Sequence, residues 1–219
     1  MIELFVLGGP LMYPLLICLV ISAVIVLERA AFWVMLSKDR NDDHVDLFLK
    51  ALKKGDHENV EKIKKQSKDA IVKVLSKVSQ YDSDQLSFAM DMEVTKEFSQ
   101  YKKYSNVLDT IIAVAPLIGI LGTVVGIIVS FQNMAISGME DPKAITGGIG
   151  QALITTASGL GIAIMSLLAY NYFNSKIEAI SEETESYLSE LELIKNKGFK
   201  ASMAENLAKN LDKKTSVSQ

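Results

Sequence analysis

The chain has 219 residues, 49% of them hydrophobic and 22% charged, with a formal net charge of −3. Those averages fit a soluble domain, yet charge and apolarity are segregated: Leu4–Leu27, Thr110–Met139 and Ala144–Ser175 are uncharged over 24, 30 and 32 residues. About 20 apolar residues cross a bilayer as a helix, so the pattern excludes a soluble globule and predicts an all-α polytopic membrane protein with three transmembrane helices.

In chain order, residues 1–37 read as an outside N-terminal segment and the first transmembrane helix. No basic residue precedes the apolar run, and no small-residue cleavage pattern follows it before Glu28-Arg29, so it reads as a retained span rather than a signal peptide. The single cysteine, Cys18, lies inside it, which leaves no intrachain disulfide and no thiol-rich metal site. "LERAAFWVMLS" continues the helix, with Trp33 as an interfacial anchor. Residues 38–83 predict a small layer of short cytoplasmic helices. Val45, Phe48, Leu49 and Leu52 share one helical face, with Asp42 or Asp43 as cap and Gly55 as stop. "HENVEKIKKQ" and "DAIVKVLSKVSQY" follow as two more amphipathic helices.

"YDSDQLSFAM" carries a capping signal at Asp82–Asp84, and no Gly or Pro then interrupts the chain until Pro116. Residues 84–137 are therefore expected to form one long helix that includes the second span. Residues 138–144 read as a short periplasmic link, and 145–197 as the third span continuing into the cytoplasm. There Ile177, Ile180, Thr184, Tyr187, Leu191 and Ile194 are spaced 3, 4, 3, 4, 3, a short coiled-coil-like seam whose partner the spacing leaves open. Gly198 is the expected stop, leaving 198–219 as a mobile cytoplasmic tail.

Lysine and arginine set the expected orientation. None precedes the first span, 15 lie between the first and second, one lies in the short link and seven follow Phe173. The positive-inside rule places the N-terminus and the link outside, and the long loop and C-terminus in the cytoplasm.

Catalytic and metal-ligating constellations are not found. His44 and His57 stand in the charged loop without ligand spacing, and "GGIG" is not followed by the Lys-Ser/Thr of a phosphate loop. "KIKKQSK" lies beside Glu58 and Glu61 and reads as a solvated face, not a nucleic-acid or headgroup site. No enzyme activity, cofactor or metal is expected. The informative residues lie in the second and third spans. Gly119, Gly122, Thr123, Gly126 and Ser130 line one small, weakly polar face, the usual device by which membrane helices approach closely. In the third span Gln151, Thr155 and Ser158 share one face, and Thr156 and Gly159 the adjoining one. An amide with hydroxyls beside it points to a wet or protein-lined interior, because polar groups facing lipid are costly. Asp109 and Glu28 stand only at span ends, and neither polar span holds an Asp, Glu, Lys, Arg or His inside it. If the chain serves ion-driven work, the titrating acid has to come from another chain.

At these residues the sequence resembles the ExbB/TolQ/MotA superfamily. "LGTVVGIIVSF" (Leu121–Phe131) and "GIGQALITTASGLGIAIMSLLAYN" (Gly148–Asn171) are similar to its second-span and third-span signatures, and three spans point to the ExbB/TolQ branch. The resemblance implies a homopentamer around two copies of a single-span ExbD/TolR-like partner that carries a membrane aspartate, with a TonB/TolA-like protein receiving the force. It makes Thr123 and Thr156 the family's two span threonines, lining the ion pathway with Gln151 and Thr155, while Gly119, Gly122, Gly126 and Gly159 pack the helices. Protons are the first choice of ion, with sodium open, because Gln151 stands where relatives usually carry glutamate. The alternative is a non-conducting membrane scaffold that anchors a cytoplasmic helical assembly.

Overall fold

The computed structural model describes residues 8–137 and 142–217, and every regular element among them is helical. The helices are α1 (Met12–Asp39), α2 (Asp42–Lys54), α3 (His57–Gln66), α4 (Ala70–Val78), α5 (Leu86–Ser99), α6 (Ser105–Ser137) and α7 (Pro142–Val217), with a single 3-10 turn at Ser83–Gln85. Three stretches are long and apolar enough to cross a bilayer: Met12–Asp39, Ser105–Ala135 and a segment within Thr146–Asn196. The chain is an all-helical membrane protein.

It divides into two compact units, one of Met1–Trp33 with Lys102–Ser175, the other of Val34–Tyr101 with Lys176–Gln219. The first, the span unit, packs α1, α6 and the start of α7 around Leu15, Ile111, Ala115, Ile162 and Ala163. Large apolar residues elsewhere on these helices, such as Leu117, Ile120, Leu153 and Met165, are exposed, as lipid or further protein requires of a span. Gly8–Leu11 are turn, Gly9 takes φ +74°, and α1 starts at Met12, whose amide donates to the Gly9 carbonyl at 3.1 Å. A left-handed φ is open to glycine at little cost, and Pro10 then feeds the helix from its fixed φ.

The second, the charged unit, holds a core of a different kind: Val45, Phe48 and Leu49 from α2, five apolar residues of α4, Leu86 of α5, and Leu188 and Leu191 of α7. Tyr187 and Ile194 pack against the same cluster, so the seam of α7 meets the short helices of its own chain. The face predicted for α2 is the buried one, and Gly55 ends that helix at φ +69°. Capping differs from expectation. Asn41 occupies the N-cap of α2 without a side-chain bond, and Asp42 and Asp43 fall in the first turn, where carboxylates suit the helix dipole. Asp56 caps α3, its carboxyl held below the usual range by hydrogen bonds from the Asn59 backbone and side chain. Asp69, buried, caps α4 through Ile71 N at 2.7 Å and also accepts from Asn41 N at 2.8 Å. At the predicted cap Asp82–Asp84 the chain makes a 3-10 turn, and α5 starts from Gln85 without a side-chain bond.

Two expectations about helix length are corrected. Residues 84–137 are not one helix: α5 ends at Ser99, and Tyr104 stands at φ +67° before α6 begins at Ser105. Tyrosine has no preference for the left-handed region, where a non-glycine residue costs about 1–2 kcal/mol, so nothing in the local sequence announces the break. Neighbouring aromatics stabilise each side of it. Within the charged unit the buried Tyr101 ring meets Phe98 edge-on at 5.1 Å, and burial first, then the Glu97 and Asp69 charges, hold its phenol well above its usual pKa. Within the span unit the Arg29 guanidinium lies 4.6 Å from the Phe32 ring and 5.7 Å from that of Tyr104. Conversely, Gly198 does not stop the last helix, which runs to Val217. One glycine costs a helix only about 1 kcal/mol, and the Lys-, Ala-, Glu- and Leu-rich sequence around it offsets that. The expected link 138–144 falls partly on residues outside those described; α7 is helical from Pro142, a position where proline sacrifices no helical hydrogen bond.

Candidate functional site

Among the described residues, polar groups of α7 meet the rest of the span unit at several places, three of which bear on its chemistry. The first joins α6 to α7. The Thr156 hydroxyl donates to the Gly119 carbonyl at 2.8 Å, and the Thr123 and Thr156 hydroxyl oxygens lie 2.5 Å apart. Each hydroxyl has one proton. The Thr123 hydroxyl also has the Gly119 carbonyl within reach at 3.3 Å, so either threonine can serve Gly119 while the other donates across the pair. Both threonines are half-buried, so the hydroxyl pair is reachable from outside the chain.

This pair meets because α6 and α7 are antiparallel and approach at glycines. A Cβ on Gly119 would stand 3.1 Å from the Thr156 Cα, and one on Gly122 would stand 2.5 Å from the Thr155 methyl. A Cβ on Gly126 would lie 2.8 Å from that of Ala152, and one on Gly159 only 2.5 Å from the Ala115 carbonyl oxygen. Ordinary side chains at these positions would push the helices apart, and a hydrogen bond between threonines needs them together. Pro116 lies inside α6 without ending it.

The second place holds the other two residues singled out in the sequence. Thr155 is enclosed, with 1% of its surface exposed, and its one hydroxyl proton lies between the carbonyls of Gly8, at 2.8 Å, and Gln151, at 2.9 Å. The Gln151 side chain occupies the space beside Gly9 that a Cβ there would need. Gln151 and Thr155 therefore do not share a surface with Thr156: one step along the helix, about 100° of rotation, turns them to the N-terminal turn of their own chain. Ser158 donates to its own Ile154 carbonyl at 2.8 Å, a local bond open to any helical serine.

The third place was not anticipated. Ser22 of α1 and Ser166 of α7 are buried, and their hydroxyl oxygens lie 2.6 Å apart. Ser166 follows Thr155 by three helical turns, so the stripe begun at Gln151 extends further along α7 than the polar residues near it suggest. A lone serine in a span carries little sequence signal, and only a partner on another helix distinguishes this one.

Among the described residues no group of three or more His, Cys, Asp or Glu side chains is placed to hold a metal ion. The charges of the span unit stand at its margin, where Glu28 forms a two-pronged pair with the buried Arg29 at 2.5 and 2.6 Å. What the unit offers chemically is hydroxyl and carbonyl oxygen: donors and acceptors for water or a cation, with no group that titrates near neutrality.

Comparison with known proteins agrees with this chemistry. The model of the MotA/TolQ/ExbB proton channel family matches residues 47–186. The chain is 32% identical over 200 residues to the putative biopolymer transport protein ExbB-like 1 of Synechocystis, an alignment covering 89% of this chain and 78% of that one. It is 29% identical over 173 residues to ExbB-like 3 of the same organism, covering 77% and 82%. With the biopolymer transport protein ExbB of Helicobacter pylori it shares 40% identity over 95 residues, which is 43% of this chain and 61% of the relative.

Proposed function

Because this chain belongs to the MotA/TolQ/ExbB proton channel family, we propose that it is the multi-span subunit of an ion-driven inner-membrane motor. In this reading copies of the chain form a ring, a pentamer by family resemblance, around a single-span ExbD/TolR-like partner. The partner brings the aspartate that takes up and releases the ion, and a TonB/TolA-like protein carries force to an envelope process. The N-terminus lies in the periplasm, and the charged unit and C-terminus in the cytoplasm, as the lysine and arginine distribution argues.

The observation that carries the proposal is the half-buried Thr123–Thr156 pair on a glycine-packed helix interface whose spans hold no Asp, Glu, Lys, Arg or His in their interior. Hydroxyls with free lone pairs solvate a proton-carrying water or a bare cation, and an acid supplied by the partner completes the site. Protons are the first choice of ion and sodium the second. A non-conducting scaffold would use the same glycines, but gains nothing from a hydroxyl pair reachable from outside.

Replacing either threonine by valine keeps its shape and removes the oxygen. Thr123→Val and Thr156→Val are expected to lower energised activity at least tenfold, while the complex still assembles and co-purifies with its single-span partner. Full activity of both variants overturns the ion-path reading and favours the scaffold.

A further inference from the structure

The family reading gives no work to the contact between α7 and the N-terminal turn. Thr155 has no exposed surface to offer an ion or a partner helix, and its hydroxyl is already spent on the Gly8 and Gln151 carbonyls. Gly8 is buried beneath it, and the Gln151 amide fills the one place a side chain at Gly9 could go. The Gly9 carbonyl in turn accepts from Met12 N, the first amide of α1. The seated turn is thus the start of the first span. Further along the same helices Leu15 is buried in the three-helix core and Ser22 meets Ser166. Two polar contacts three turns apart on α7, with an apolar one between them, fix α1 against sliding or rotation.

We propose that Gln151 and Thr155 are positioning residues that seat the Gly8–Gly9 turn, fasten the first span to α7 and lie off the route of the ion. The last clause rests on the Thr123–Thr156 reading above; the seat itself does not. On this view the Gln151 side chain packs against the backbone of its own chain, and the choice of ion is set elsewhere.

The test uses the full-length protein in native membranes with Cys18→Ser. A Gly9→Cys/Gln151→Cys pair is expected to form an intrachain disulfide under mild oxidation, found by peptide mass spectrometry. Gly9→Cys with Leu153→Cys, whose side chain is exposed on another face of α7, is expected not to. Equal yields for the two pairs, or two freely alkylated thiols in the first, overturn the seat. Since cysteine at a left-handed position can disturb the turn, a second measurement leaves Gly9 intact. Gln151→Ala is expected to speed amide hydrogen exchange at Met12 and Tyr13 at least tenfold, with exchange around Thr123 unchanged; no change at Met12 and Tyr13 overturns the seat. Finally, Gln151→Met, which keeps the length without the amide, is expected to retain activity within twofold and the same dependence on sodium. A tenfold loss with normal exchange at Met12 places Gln151 on the ion route and overturns the off-route assignment. Should Thr123→Val and Thr156→Val both prove fully active, the ion-path reading fails while the disulfide and exchange results stand.

Discussion

The two units of this protein solve the packing problem in opposite ways. In the span unit the closest contacts are made where side chains are missing: Gly119 and Gly159 bring α6 and α7 backbone to backbone, and Gly122 and Gly126 make room for Thr155 and Ala152. In the charged unit the core is made of side chains, with Phe48, Leu75, Leu86 and Leu191 each at most 1% exposed. The difference follows from the solvent. Water drives apolar side chains together, at about 25 cal/mol per Å² removed from it. Lipid does not, so helices that cross a membrane are held by close contact and by hydrogen bonds such as Thr156 to Gly119. The polar contacts follow the same logic. Those between the helices of the span unit's interior are uncharged oxygens, with the Glu28–Arg29 pair of neighbours on α1 apart, whereas those of the charged unit include Lys77–Glu93 at 3.0 Å and the Arg40–Glu183 pair.

Substitutions that swap one strategy for the other test this contrast. The largest effect is expected for Gly159→Leu, because the added Cβ alone would press on the Ala115 backbone, which cannot move aside as a side chain can. Loss of the folded span bundle, read as loss of assembled protein in membranes, is the expected outcome; wild-type yield would mean that α6 and α7 do not pack at these glycines. Phe48→Ala should cost about 3–5 kcal/mol and lower the thermal midpoint of the charged unit. The Gly9–Gln151 disulfide should still form, since that contact belongs to the span unit.

Asp69→Ala comes next. It removes one carboxylate that serves two backbone donors, the cap of α4 and Asn41 N, and about 2 kcal/mol of destabilisation is expected from the lost cap and the stranded amide. Denaturation monitored by helical circular dichroism measures it. The smallest effect has the opposite sign. Gly198→Ala replaces a glycine inside α7 and should stabilise that helix by about 1 kcal/mol, seen as slower amide exchange around residue 198. A destabilising outcome would mean that Gly198 ends the helix after all.

Much of this was legible in the sequence because it is written in local patterns. Charge segregation gave three spans, the periodicity of α2 gave its buried face, and Gly55 gave a helix end. The i, i+3, i+4 and i+7 spacing of small residues gave the contact face of α6, and the threonines gave the residues on which the functional proposal turns. Local pattern failed where the cause was not local. The break before α6 rests on Tyr104 at a backbone angle tyrosine does not prefer, with Tyr101 and Phe98 on one side and Arg29 on the other. The reverse error, a stop placed at Gly198, gave one residue more weight than the helix-favouring sequence around it.

The candidate site divides along the same line. Sequence alone determined that the polar groups are hydroxyls and an amide, that no acid accompanies them inside the spans, and that glycines stand near them. Only the tertiary structure decided that Thr156 pairs with Thr123 while its neighbour Thr155 is closed off beneath Gly8, and that Ser22 finds Ser166 across the bundle. The physical reason is that a hydroxyl in an apolar setting takes its role from whichever oxygen lies within about 3 Å. Helical periodicity fixes the direction in which each side chain leaves its own helix. What waits there is set by the packing of the other two helices.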